Sequence, residues 1–147
     1  MKTVSSQIKI EAPAKRVWEV LTDQAAFPRW NPFITHFEGE LRPGATIRVT
    51  IHPPGGKAMT FRPRVLAAVP ERELKWLGKL LVGGVFDGEH HFWIEPDDGG
   101  VILHQEETFR GVLVPFTGSL LERTLRGFQL MNEALKARAE ARPAPVG

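Results

Sequence analysis

The stretch FDGEHHFWIEP, residues 86–96, sets two adjacent histidines between carboxylates inside an otherwise apolar run. On a β-strand successive side chains alternate faces. Phe86, Gly88, His90, Phe92 and Ile94 then share one side, and Asp87, Glu89, His91, Trp93 and Glu95 share the other. The first set is apolar except for His90, so it faces the core. The two histidines point in opposite directions and do not jointly hold one metal while the strand stays regular.

The turn residues PDDGG, 96–100, end this strand, and VILHQEETFRGVL, 101–113, returns. Pairing Glu95 with Gly100 places Phe92 opposite Leu103, His90 opposite Gln105 and Phe86 opposite Phe109. Glu107, two residues beyond Gln105, also points inward. On the outer face His91 falls opposite His104 and Glu89 opposite Glu106. A slip of one residue would exchange the faces of the second strand and bring His104 and Glu106 inside.

Each face has a functional and a structural reading. Two histidines and two glutamates outside suit a transition metal, but a solvated face of mixed charge is the preferred reading. No helical HExxH spacing supports a metal. Inside, His90, Gln105 and Glu107 interrupt an apolar field, and buried polar groups must be satisfied by protein, water or ligand. They either brace the sheet or line a cavity in which His90 serves as acid/base or ligand anchor beside Glu107.

Working outward, residues 4–10 alternate Val4, Ser6, Ile8 and Ile10 against polar partners and read as a strand. Residues 12–23 carry Pro13 in a first helical turn and an apolar stripe of Val17, Val20 and Leu21. In 24–33, FPRWNPF is broken by Pro28 and Pro32. Phe27, Trp30 and Phe33 there suit a pocket rim with Asn31 as polar contact, or Asn31 caps a turn. Strands follow at 33–41, 46–52, 58–69, 73–81, 84–95 and 101–113, an antiparallel series. Trp76 shares its face with Leu74, Gly78 and Leu80, and Gly78 leaves room beneath the sheet. Residues 117–142 form a long helix with Leu121, Leu125, Phe128, Met131 (or Asn132) and Leu135 at steps of three and four. Gly127 inside it costs about 1 kcal/mol against alanine, tolerated by the helix or required by close packing.

The 147 residues fit one domain, 1–142, with a frayed tail at 143–147. Hydrophobic residues make up 42% and charged ones 24%, ordinary values for a soluble globular chain. No apolar run reaches a membrane-spanning length of about 18 residues, and the N-terminus lacks a secretory apolar region. Cysteine is absent, which excludes disulfides and thiolate chemistry and suits a cytoplasmic protein. The isoelectric point is near 9.2. The net charge is only +2, with no basic block, so no nucleic-acid partner is expected. No phosphate-binding glycine loop, GxSxG elbow or tyrosine occurs, and no cofactor or metal is expected.

Taken together, IKIEAPAKRVWEVLTDQAAFPRWNPFI, FDGEHHFWIEP, HQEETFRGVLVP and GFQLMNEALKARAE resemble the START/Bet v 1-like superfamily. These are the SRPBCC, or polyketide cyclase/dehydrase and lipid-transport, proteins. The resemblance implies an α+β helix-grip fold: a curved antiparallel sheet of about seven strands around a long C-terminal helix, with two short helices after the first strand. It also implies an apolar cavity holding a small hydrophobic ligand, lipid-like or aromatic. Trp30, Asn31, Trp76, Phe86, His90, Phe92, Gln105, Glu107, Phe128 and Met131 are the expected ligand-binding residues. Its members include carriers, cyclases, hydrolases and co-chaperones. The expectations are therefore a binder first, then a cyclase, dehydratase or hydrolase using His90 and Glu107, then a protein-interaction module.

Overall fold

A computed structural model describes residues 1–79, 84 and 86–141. The tail from 142 onward and Leu80, placed above on the Trp76 face, lie outside the described residues. In chain order the elements begin with β1 (Lys2–Ile10), α1 (Ala14–Thr22) and α2 (Phe27–Trp30). The strands β2 (Ile34–Glu38), β3 (Arg48–Ile51), β4 (Met59–Phe61), β5 (Arg64–Val69) and β6 (Glu73–Lys79) follow. β7 (Asp87–Asp97), β8 (Gly100–Arg110) and the 23-residue helix α3 (Gly118–Glu140) complete the order. The described strands form a five-stranded sheet, β1-β8-β7-β6-β5, and a three-stranded sheet, β2-β3-β4. The fold is α+β with a long C-terminal helix, as the sequence pattern implied.

Residues 58–69 read as one strand but divide into β4 and β5. Pro63 has no N–H to donate to a ladder, so regular pairing stops there. Its carbonyl accepts from Ile47 N–H at 2.9 Å, while Val65 N–H donates to Ala45 O at 2.8 Å. These irregular bonds join the two sheets edge to edge.

The β7–β8 hairpin closes more tightly than the 95–100 pairing foresaw. Asp97 pairs with Gly100 across a two-residue Asp98-Gly99 loop, with Gly99 at φ 76°. Asp-Gly is among the pairs that best adopt such turns. His90 therefore sits opposite Glu107, Phe92 opposite Gln105, Trp93 opposite His104 and His91 opposite Glu106. The shift is two residues, so every side chain keeps its expected face.

α3 lies along β1 and against α1, and polar contacts fasten its last turns. Lys136 Nζ donates to Lys9 O at 2.8 Å and to Glu140 Oε2 at 2.7 Å. Glu11 N–H donates to the same Glu140 oxygen at 2.7 Å. These donors, Lys136 first, hold the Glu140 carboxyl below its ordinary value. Lys9, 2.7 Å away, does the same for Asp97 at the hairpin end. A carboxylate held low when folded stabilises above its ordinary pKa and loses that contribution as pH falls through the folded value. Glu140→Gln and Asp97→Asn should each lower stability at neutral pH. Each should also flatten the decline of urea stability between about pH 5 and pH 3.

Gly127 answers its own puzzle. A Cβ there would lie 2.3 Å from Phe33 Cδ1, and Phe33 is fully buried against the helix. Its ring meets Phe128 edge-on at 5.6 Å. The glycine lets the segment after α2 press directly onto α3. Gly127→Ala should therefore destabilise by about 1–3 kcal/mol in urea unfolding, although alanine is the better helix former.

Candidate functional site

Inside the sheet, the alternation of β7 delivers His90 to the core at 3% exposure. Its ring stacks on Trp76 at 5.0 Å and touches Phe92 at 4.6 Å and Phe128 at 5.1 Å. Gln105 and Asn132, from β8 and α3, are equally buried. Gln105 Nε2 donates to Asn132 Oδ1 at 2.8 Å, which turns Gln105 Oε1 toward His90 Nε2 at 3.0 Å. With that amide orientation His90 carries a proton on Nε2, because an amide oxygen only accepts. Its Nδ1 faces Glu107 Oε1 at 3.6 Å, an ion-pair distance beyond a good hydrogen bond.

Replacing Gln105 alone strands the His90 donor and the Asn132 acceptor. Gln105→Leu should cost roughly 1–3 kcal/mol by urea unfolding. The double change Gln105→Leu, Asn132→Leu should recover part of that loss, since the Asn132 acceptor is then no longer stranded and only the His90 donor is.

The cavity lies beside this chain, not around it. Its walls are Ile51, Met59, Phe61, Trp76, Phe86, Phe109, Leu120 and Thr124, with Glu107 as the ionisable member and Gly78 and Gly88 as the floor. Gly78 and Gly88 are cross-strand partners, so two neighbouring strands present bare backbone at one spot. A Cβ on Gly78 would make only ordinary contacts, the nearest at 3.7 Å. One on Gly88 would come within 2.6 Å of Glu107 Oε2, so this glycine makes room for the carboxylate. The enclosed volume is about 20 Å³, enough for one water molecule. Met59, Phe61, Phe86 and Leu120 also wall an open groove of about 710 Å³ on the surface. Cavity and groove thus adjoin along side chains they share.

Of the residues expected to bind ligand, Trp76, Phe86 and Glu107 border the cavity. His90, Phe92, Gln105, Phe128 and Met131 lie packed in the core behind it. Asn31 closes a turn: its Oδ1 accepts from Phe33 N–H and Ile34 N–H, both at 2.9 Å. Trp30 packs edge-on against Phe27 at 5.1 Å. Sequence reasoning missed Gly88, Thr124, Met59 and Leu120. The Gly88 signal was present, a glycine on the inward face of a strand. The other three come from segments distant in the chain, and nothing local marks them.

On the outer face the histidines turn to separate acids. His91 Nε2 lies 2.9 Å from Glu73 Oε2, and His104 Nε2 lies 2.7 Å from Glu95 Oε2. His104 stacks flat on Trp93 at 4.5 Å. Among the described residues no group of three or more His, Asp or Glu is gathered to hold a metal.

The family described as polyketide cyclase / dehydrase and lipid transport matches residues 1–140. The chain belongs to this family. Solved relatives share its fold at low identity. Protein MLL2253 from Mesorhizobium loti superposes with a TM-score of 0.74 at 19% identity, covering 93% of this chain and 96% of that one. Ara h 8.0201 gives 0.71 at 16%, over 94% and 97%. BexL, a di-domain ARO/CYC protein of the BE-7585A biosynthetic pathway, gives 0.70 at 17%, over 97% of this chain and 51% of that one. No curated protein matches the sequence. Among the described residues, no helix is long and apolar enough to cross a membrane.

Proposed function

We propose that this member of the polyketide cyclase / dehydrase and lipid transport family binds or carries a small hydrophobic ligand between its sheet and α3, in the cytoplasm. The observation that carries the reading is the paired Gly78–Gly88 floor beneath aromatic walls. A sheet selected for packing alone places side chains there, and two cross-strand glycines forgo that burial. With a volume of only about 20 Å³, the cavity takes a ligand by displacing the shared walls. Met59 and Leu120 are partly exposed, and methionine is the most adaptable of apolar side chains.

His90 is a poor direct acid/base in this geometry. It is caged by Trp76, Phe92 and Phe128 and committed to Gln105, so protons reach the cavity only by way of Glu107. Its role in this reading is to hold the sheet and the Glu107 carboxylate in place.

The tightness of the cavity favours one rival, an interaction module whose core is simply filled. Titration of the isotope-labelled protein with decanol and with naphthol separates the two. Saturable shifts should cluster at the Gly78, Gly88, Glu107 and Thr124 amides and the Trp76 indole. Gly78→Ala should weaken binding about fivefold at unchanged stability, because its methyl occupies the floor. Shifts absent from that set would leave the interaction module as the reading.

A further inference from the structure

The two ends of the cavity-and-groove system carry opposite charge, and this deepens the proposed function by naming the class of ligand. Glu107 is, among the described residues, the only ionisable one bordering the cavity, and its side chain is 14% exposed. Among the described residues it accepts no hydrogen bond, His90 Nδ1 at 3.6 Å being its near neighbour. A carboxylate in apolar walls has unused acceptor capacity and attracts a hydrogen-bond donor while repelling an anion. The groove outside is lined, among the described residues, by Arg62 and Lys79 together with Met59, Phe61, Phe86 and Leu113, and by no acid. Asp87, the cross-strand partner of Lys79, accepts the Gly84 N–H through Oδ2 at 3.1 Å, keeps its Oδ1 buried without a partner among the described residues, and is not among the groove's lining residues.

We infer that the ligand is bipolar: an apolar body with a hydroxyl at its buried end, donating to Glu107, and an anionic group at its outer end, held by Arg62 and Lys79. The buried carboxylate sets the direction of insertion. A simple fatty or aromatic acid entering head-first would bring two carboxylates together in apolar surroundings, so the acid end stays out. A plain alcohol satisfies Glu107 but leaves the cationic groove empty. Only a molecule with both groups satisfies both ends.

The proposal rests on the cavity reading above, and a matched series separates the two. Affinities of ω-hydroxydecanoate, decanoate and decanol are measured by calorimetry on the wild type, Glu107→Gln and Arg62→Glu. The hydroxy acid should bind about tenfold tighter than decanoate, the scale of one hydrogen bond to a charged acceptor. Glu107→Gln should cut that advantage to about twofold while leaving the preference for acid over hydrogen at the outer end intact. Arg62→Glu should weaken both acids about threefold or more, an effect that fades with added salt, and leave decanol unchanged. If decanol and both acids bind alike, or if Glu107→Gln leaves the hydroxyl advantage untouched, the bipolar assignment is overturned while the cavity stands. If none of the three binds, both readings fall.

Discussion

The interior of this protein is organised around a chain of buried amide and imidazole groups that runs from β7 through β8 into α3. His90, Gln105 and Asn132 have no water to fall back on, so each must find its partner in the others. Apolar contacts alone would let a helix rotate or slide on a sheet with little penalty. Two directional bonds of 3.0 and 2.8 Å between three different elements do not. They fix the rotation of α3, and with it the placement of Thr124 and Leu120 on the cavity side. Among the described residues Asn132 Nδ2 has no partner at the helix end, and at the sheet end His90 Nδ1 meets Glu107 only at 3.6 Å.

Around that chain the aromatic rings form a continuous body. Phe27 meets Phe37, Phe37 meets Trp76, and Trp76 meets both His90 and Phe92. His90 then touches Phe128, which meets Phe33. Phe33 closes the circuit by lying on Gly127. The short helix α2, with the Phe33 that follows it, is thereby tied through rings to the centre of the large sheet and to α3. Its Asn31 turn sets the angle at which Phe33 enters. Local turn chemistry and long-range packing meet at one residue.

Much of this was legible from alternation. The period of two in residues 86–96 placed His90 inside and His91 outside, and the same pattern in 101–110 put Gln105 and Glu107 inside. The exact pairing was not legible, because a shift of two residues leaves the pattern unchanged. The choice between a four-residue and a two-residue loop rests on the conformational freedom of Gly99, which hydrophobicity does not encode. Similarly, the strand read over 58–69 ignored Pro63, although the missing N–H was visible. The site was legible only in part. Polarity inside an apolar face flags His90, Gln105 and Glu107 alike, yet they serve differently: two complete an internal chain and one is left to the cavity. That division depends on Asn132, some 25 residues away on a helix, and no local signal announces it.

The glycines show how the fold reconciles a tight core with a recess. At Gly127 the missing side chain is filled at once by Phe33, and the result is close packing. At Gly78 the missing side chain leaves room, and at Gly88 its place goes to a polar group. The same residue type thus serves opposite ends, and the difference lies in what approaches from across the core. Diagonally across from Gly88 on β8 stands Glu107, whose carboxylate occupies the space a methyl would need. An apolar side chain at 107 would have sealed the sheet against Phe109 and Trp76 at no desolvation penalty. A carboxylate there, unaccompanied by a hydrogen-bond donor among the described residues, weakens the core it sits in. Its presence is understandable as a demand on whatever enters, since its side chain is partly exposed and borders the cavity.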